Sequence, residues 1–335
     1  GITGAMRNGA KLENVTSNVN MTVTGTNVGG ITGRVEQAGD YTISGCSYGG
    51  TLSVTGNNAG GILGNANVAG KLTIRNCMTT ADVQISGAGA VGGIVGTAGN
   101  SNTVTISGCD NAAAVSGNDN VGGIVGINGS TTLTIENCDN TGAIAAATGT
   151  AGGVLGQTLQ ATVAITGCSN TGTISGAANA GGIAGKVAAN ATVTVADTTN
   201  SGTWYSAATT NYTIASSDEL VQMAELAVNN DFAGKTVNLA ADIDLTGIEW
   251  TPIGLHVNAS GSAVGKAFAG TFDGNGKSVA GMNAAPSNKA SSWGFFGQIA
   301  GTLKNFTVSG SIEGKGNQMG GVTGALRSGA KLENV

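Results

Sequence analysis

Five cysteines fall at Cys46, Cys77, Cys109, Cys138 and Cys168, spaced 31, 32, 29 and 30 residues apart, and they are the first candidates for chemistry in this chain. A thiolate is a nucleophile and a soft metal ligand, yet both roles need partners close by: a second cysteine for a metal, a histidine for a base. The sequence has no CxxC, and His256 is its sole histidine, read as a loop residue near a turn, so no Cys–His or Ser–His–Asp arrangement can recur along it. Val15, Thr198 and Phe306 stand where a cysteine falls in other repeats, and a position that accepts Val, Thr or Phe wants a compact inward group. The expectation is a column of buried free thiols behaving as small hydrophobes. Five is an odd count and side chains stacked in register point the same way, so no disulfide is expected.

The carboxylates come next. Asp242, Asp244 and Asp273 offer the acid and base that glycoside cleavage requires. Asp110 and Asp139, one repeat apart, offer oxygens to Ca²⁺. Against both readings, Asp and Asn are favoured turn residues, and calcium takes roughly six to eight oxygens while no D-x-D-x-D-G loop is present. No catalytic residue, cofactor or metal site is therefore expected. Asn111, Asn140, Asn170 and Asn200 follow the cysteine position by two residues and suggest an amide ladder at a corner of the fold. Thr103/Thr105, Thr132/Thr134, Thr162 and Thr192/Thr194 form a partial outward grid, suited to an ordered surface such as ice but equally to plain exposed strand.

These residues recur because the elements carrying them recur. The motif Gly-Gly-[Ile/Val]-x-Gly starts at Gly29, Gly60, Gly92, Gly122, Gly152 and Gly181, at intervals of 31, 32, 30, 30 and 29, and again at Gly320. A strand-like run ending at the cysteine position follows, then a third short run such as 113–117 or 172–176. Three strands of this kind make one triangular coil, which cannot bury its apolar face alone and must stack on copies at about 4.8 Å. Ile31, Ile62, Ile94, Ile124, Val154 and Ile183 then form one inner column, and Val104/Ile106, Leu133/Ile135, Val163/Ile165 and Val193/Val195 another. The motif glycines are expected to supply the positive φ that corners need. The fourth motif position, Leu63, Val95, Val125 and Leu155, alternates outward and is expected to form an exposed apolar stripe for lateral self-association.

Composition agrees with an all-β solenoid. Of 335 residues, 59 are glycine and only 2 proline, which excludes collagen, while 40% are hydrophobic, enough for a dry core. A net charge of −5 with scattered basic residues argues against nucleic acid, and no apolar run is long enough to span a membrane.

Residues 1–200 read as regular coils, 201–300 as irregular and 301–335 as coils again. In the middle segment Ser216 to Glu219 is a capping box that predicts a helix over about 217–229. Residues 267–282 read as two strands joined by the turn Asp273-Gly274-Asn275-Gly276. GITGAMRNGAKLENV (1–15) returns as GVTGALRSGAKLENV (321–335), identical at twelve of fifteen positions, which points to a tandem unit of about 320 residues. At the strand spacing, about ten such coils rise ~50 Å.

SSDELVQMAELAVNN, AADIDLTGIEWTPIG, FAGTFDGNGKSV and GFFGQIAGTLKNFTVSGSI, with the GG[IV]xG motifs, resemble the GLUG-motif repeat proteins of large bacterial surface adhesins, which also flank immunoglobulin-A-cleaving metallopeptidases. The resemblance implies a right-handed parallel β-helix at an extracellular bacterial surface. It carries no peptidase activity here, since HExxH is missing. The first expectation for function is thus a structural tandem solenoid, a fibre or stalk whose partners are further copies end to end. The alternative is an adhesin repeat binding host or polysaccharide through the threonine face or the loops near Trp250 and Trp293. Ice binding and a carbohydrate-active enzyme rank behind both.

Overall fold

A computed structural model of the chain describes every residue except 68, 69, 100–102, 160, 259, 287–290 and 315. It divides into two compact units, Gly1–Thr209 and Thr210–Val335.

Gly1–Thr209 is a parallel β-solenoid. Its strands pair one coil up and one coil down, so that Val95–Ala98 lies between Leu63–Ala66 and Val125–Asn128, and Thr103–Ser107 between Lys71–Arg75 and Thr132–Glu136. A coil contains five strand segments rather than the three expected. In the coil that starts at Val95 they are Val95–Ala98, Thr103–Ser107, Asp110–Asn111, Ala114–Gly117 and Asn120–Gly122. The winding bends more often than the apolar pattern suggests, because two-residue strands leave too little sequence for alternation to register.

One bend sits just before each cysteine position. Asn14, Gly45, Asn76, Gly108, Asn137, Gly167 and Asp197 all have φ between 48° and 62°, the left-handed region open to Gly, Asn and Asp. Asparagine and glycine alternate strictly from Asn14 to Gly167. A Cβ on Gly108 would lie 2.7 Å from Asn76 Oδ1, so each asparagine reaches along the axis into the space above it and the next coil must carry no side chain there.

The motif glycines do something else. None of them has positive φ, contrary to the expectation. Their role is close approach. A Cβ on Gly122 would overlap the Val125 carbonyl oxygen and lie 2.7 Å from Gly156 N, and one on Gly126 would lie 2.7 Å from the backbone of Val91. Two faces of the coil thus pack backbone against backbone. The inner columns fill the rest: Ile31, Ile62, Ile94, Ile124, Val154 and Ile183 are wholly buried, as are Val104, Ile106, Leu133, Ile135, Val163 and Ile165. Val195, in the last coil, is partly exposed.

Thr210–Val335 also stacks parallel strands but has an aromatic interior. Its helix, Ser217–Leu226, begins as the capping box predicts: Glu219 N donates to Ser216 Oγ (3.3 Å) and Glu219 Oε2 accepts from Ala215 N (2.7 Å). It stops earlier than 229, with Ala227 as C-cap. Residues 267–282 form no hairpin. Thr271–Ala284 is one interrupted strand that pairs in parallel with Thr302–Ile312, with irregularities between Asp273 and Lys277 and between Val279 and Met282. Asn275 (φ 52°) and Gly276 (φ 75°) turn a corner, as Asn305 (φ 57°) does one coil later, and the chain continues in the same sense. Phe272 packs on Phe295, Phe296 and Phe306 at centroid distances of 5.9, 5.3 and 5.2 Å, and Trp250 stacks on Phe295 at 5.2 Å.

Candidate functional site

The cysteines form the column that their spacing implies. All five are free and buried. Each thiol is bound into the ladder: the backbone N–H of Cys46, Cys77 and Cys109 donates to the sulfur one coil on at 3.4 Å, and that of Cys138 to Cys168 Sγ at 3.5 Å. Thr198 Oγ1 accepts the same bond from Cys168 N at 3.2 Å, which explains why threonine can replace cysteine here. Each thiol also faces a carbonyl two residues back, 3.3 Å away for Cys77 and Cys138. Burial pushes the Cys46 thiol above its ordinary range. Hydrogen bonding to Cys138 and Cys77, together with burial, pushes Cys109 up as well. Hydrogen bonding to Cys109 instead pushes Cys77 and Cys138 down, so it is enclosure, with every cysteine at most 2% exposed, that makes these thiols poor nucleophiles.

The asparagines form a second ladder. Asn111 Nδ2 donates to Asn140 Oδ1, Asn140 Nδ2 to Asn170 Oδ1 and Asn170 Nδ2 to Asn200 Oδ1, each at 2.7 Å. The other amide hydrogen is used within the coil, Asn140 Nδ2 donating to Gly142 O at 3.0 Å. All four are at most 2% exposed, so the ladder faces the interior of the coil. The second motif glycine makes room for it: a Cβ on Gly123 would lie 2.5 Å from Asn140 Cγ. Thr79 caps the column, its Oγ1 donating to Asn111 Oδ1 at 2.5 Å. Tyr48 continues it one coil further, with its hydroxyl donating to Val19 O at 3.0 Å and its pKa raised by burial to about 12.

Leu63, Val95, Val125 and Leu155 do not form an exposed stripe. All four are 0% exposed. The reason lies in the bend before them: Ile94 N and Val95 N both donate to Ile124 O, at 3.1 and 2.8 Å, and Ile124 N and Val125 N both donate to Val154 O, at 3.0 Å. Consecutive amides that share one acceptor cannot alternate in and out, so both side chains are buried.

The threonines stand in register, Thr103 beside Thr132, Thr162 and Thr192, and Thr105 beside Thr134, Ala164 and Thr194. Asp110 is paired with Asp139 on an outer strand. Burial first, and then the Asp139 charge, raise the Asp110 carboxyl.

Of the candidate carboxylates in the second unit, Asp244 and Asp273 each cap a local turn, and Asp242 bonds to a residue far along the chain. Asp242 Oδ1 accepts from Ser278 N (2.7 Å) and Oγ (2.9 Å), and the first of these bonds holds its pKa below the ordinary value. Asp244 Oδ1 accepts from Thr246 N at 2.8 Å. For Asp273 burial alone would raise the pKa, but bonds from Asn275 N (3.0 Å), Lys304 Nζ (3.0 Å) and Asn305 Nδ2 (3.1 Å) outweigh it and lower the value. His256 is 4% exposed, its Nδ1 3.0 Å from Gly254 O, and lies on a short strand rather than a free loop. Trp250 is buried, with Nε1 donating to Phe295 O, and Trp293 is partly exposed.

Sequence reasoning missed a third amide set. Asn58 Nδ2 and Asn65 Nδ2 both donate to Asn27 Oδ1, at 2.7 and 2.8 Å, and Thr97 Oγ1 donates to Asn58 Oδ1 at 2.7 Å. Its signal was available: Asn27 and Asn58 precede the motif glycines by two residues.

Among the described residues no group of three or more His, Cys, Asp or Glu is placed to hold a metal ion, and no helix is long and apolar enough to cross a membrane. What these columns can do is align coils. The amides of Asn111, Asn140 and Asn170 each bond to the amide one coil on, and the sulfurs of Cys77, Cys109, Cys138 and Cys168 each accept the backbone N–H of the cysteine one coil back, so register is fixed by hydrogen bonds as well as by apolar contact. No protein-family model, no curated protein and no solved structure matches this chain.

Proposed function

We propose that the chain is a structural repeat, a tandem β-solenoid that serves as a fibre or stalk outside a bacterial cell. One observation carries the reading: the segment that repeats in sequence also repeats in fold. Thr323–Leu326 and Lys331–Glu333 are strands with the bounds of Thr3–Met6 and Lys11–Glu13 shifted by 320, and Asn14 and Asn334 share φ 55°. The setting outside a bacterium rests on the resemblance to GLUG-motif proteins.

Negative-stain microscopy of the native material tests this, with thin filaments of regular axial repeat as the expected result; isolated compact particles would sink it. The adhesin alternative draws on the threonine register. Glycan binding lost on replacing Thr105 and Thr134 with Lys would favour that alternative, and unaffected or absent binding would leave the structural reading standing.

A further inference from the structure

The helix Ser217–Leu226 is charged against its own dipole at one end. It holds Asp218, Glu219 and Glu225 and has no basic residue in its last turn. Glu225 lies one residue from the C-terminal end, where the macrodipole is negative and a cation is the favoured neighbour. The bias extends past the helix. Between Ser217 and Ile253 seven acidic residues stand with a single base, Lys235, and that base lies over the Tyr212 ring at 5.7 Å. Lys266 comes close to the helix end, its N–H donating to Ala227 O at 3.4 Å. Among the described residues, however, no cation forms a salt bridge with Glu225 or Glu249.

Both of these carboxylates border a groove of about 270 Å³. One wall is a helix stripe of Val221, Ala224 and Val228, spaced three and four residues apart and so aligned along one face. Val228 is held against the helix end by its N–H, which donates to Glu225 O at 3.2 Å, and it is 39% exposed. The other wall is residues 249–251. It is fixed from behind, Trp250 N donating to Asn283 O (2.8 Å) and Trp250 Nε1 to Phe295 O (3.1 Å). Glu225, Glu249 and Thr251 are exposed at the rim. The groove thus sets an apolar stripe beside two carboxylates that lack a counter-charge.

We propose that this groove receives an arginine or lysine side chain from an extended segment of another polypeptide. The methylene stem lies along Val221, Ala224 and Val228, and the charged head meets Glu225 and Glu249. The incoming cation completes the helix end with the charge that the helix's own sequence omits. Volume sets the size of the guest: about 270 Å³ is below the roughly 300–1,000 Å³ of small-molecule sites and suits one long side chain. A wholly apolar guest would desolvate two carboxylates without pairing them, and an acidic one would be repelled. Thr251 offers a hydroxyl at the mouth to the backbone of the segment. The groove lies within one unit, so isolated chains bind whether or not they belong to a fibre.

The test titrates the full chain with a blocked pentapeptide, one arginine flanked by two alanines on each side, and follows binding through the peptide's NMR signals. Citrulline in place of the arginine keeps the length and removes the charge, and is expected to weaken binding by about tenfold or more. Glu225→Gln with Glu249→Gln should weaken the arginine peptide by a similar factor. Both side chains are exposed and the amides isosteric, so the fold is retained. Val228→Lys, which places a cation at the groove from within, should produce the same loss. Glu136→Gln, in the other unit, should change nothing. Free agmatine, which carries the guanidinium and stem without a peptide backbone, should bind several-fold more weakly than the peptide. The proposal is overturned by any of five results: no binding of the arginine peptide, equal binding of the citrulline peptide, full binding by the Glu225/Glu249 variant, equal loss in Glu136→Gln, or agmatine binding as tightly as the peptide.

Discussion

Gly1–Thr209 and Thr210–Val335 solve one problem with different interiors. In the first unit several interior positions are columns of like residues over successive coils, and a side chain's main partners there are its counterparts above and below: Cys on Cys, Asn on Asn, Ile on Ile. In the second, the interior is a cluster of unlike aromatics, Phe272 touching Phe295, Phe296 and Phe306 at once. A column divides its energy into small equal parts and specifies register. A cluster concentrates energy in a few side chains and specifies one arrangement. A helix with a buried capping box and corners of unequal length fit beside the cluster because its neighbours need not repeat.

The largest expected effect therefore lies in the second unit. Phe272→Ala removes a wholly buried ring from the centre of the cluster and should destabilise by about 3–5 kcal/mol. Ile124→Ala in the first unit, between Ile94 and Val154, should cost less, near the lower end of about 2–5 kcal/mol. Urea unfolding of both variants checks the contrast; equal losses would mean that the columns are as indispensable residue by residue as the cluster.

A middle-sized effect tests whether the columns encode phase. Gly108→Asn keeps a residue tolerant of left-handed φ, but its Cβ meets Asn76 Oδ1 at 2.7 Å from below and its amide enters the place of Asn137 above. The cost should be about 1–3 kcal/mol, as for other overpacked sites. Adding Asn76→Gly and Asn137→Gly together shifts the alternation by one coil and should restore most of the loss, while either alone should restore less. Thermal unfolding of the single, double and triple variants reads the coupling directly.

Much of this was legible in the sequence because chemistry that recurs at a fixed period must stack. The cysteine and asparagine positions, the inner Ile/Val columns and the capping box at Ser216–Glu219 all follow from spacing and residue type. The misread stripe comes from the assumption that strand alternation runs unbroken through the motif. At Ile94–Val95 it does not, since both amides donate to one carbonyl, and a supposed surface stripe became core. Asp273-Gly274-Asn275-Gly276 carries hairpin chemistry, yet the winding uses it to round a corner, because the parallel partner at 302–312 satisfies the strand that a hairpin would have paired with itself. The Asn/Gly alternation before the cysteines was open to view, but its period is two coils, and a search for one-coil repeats passes over it.

The smallest effect comes from carboxylates, and here the two units should respond to acid in opposite directions. Asp110 has its pKa raised, by burial and by Asp139, so its favourable contribution is fully present below the unfolded value of 3.8 and is lost as pH rises through the folded value. Asp273 has its pKa lowered by Asn275, Lys304 and Asn305 against burial, so its contribution is present above 3.8 and is lost as pH falls through the folded value. Asp110 is exposed and screened, which keeps its effect modest, whereas the Asp273 side chain is 16% exposed and should show the larger trend. Hydrogen exchange followed segment by segment from neutral pH down to about 3, corrected for intrinsic rates, should show protection around Asp110–Asn111 holding or rising while protection around Asp273–Ser278 falls. Asp110→Asn should flatten the first trend and Asp273→Asn the second. Parallel losses in both segments would mean that acid acts on the fold as a whole, and that the separation between column and cluster does not extend to their surface charges.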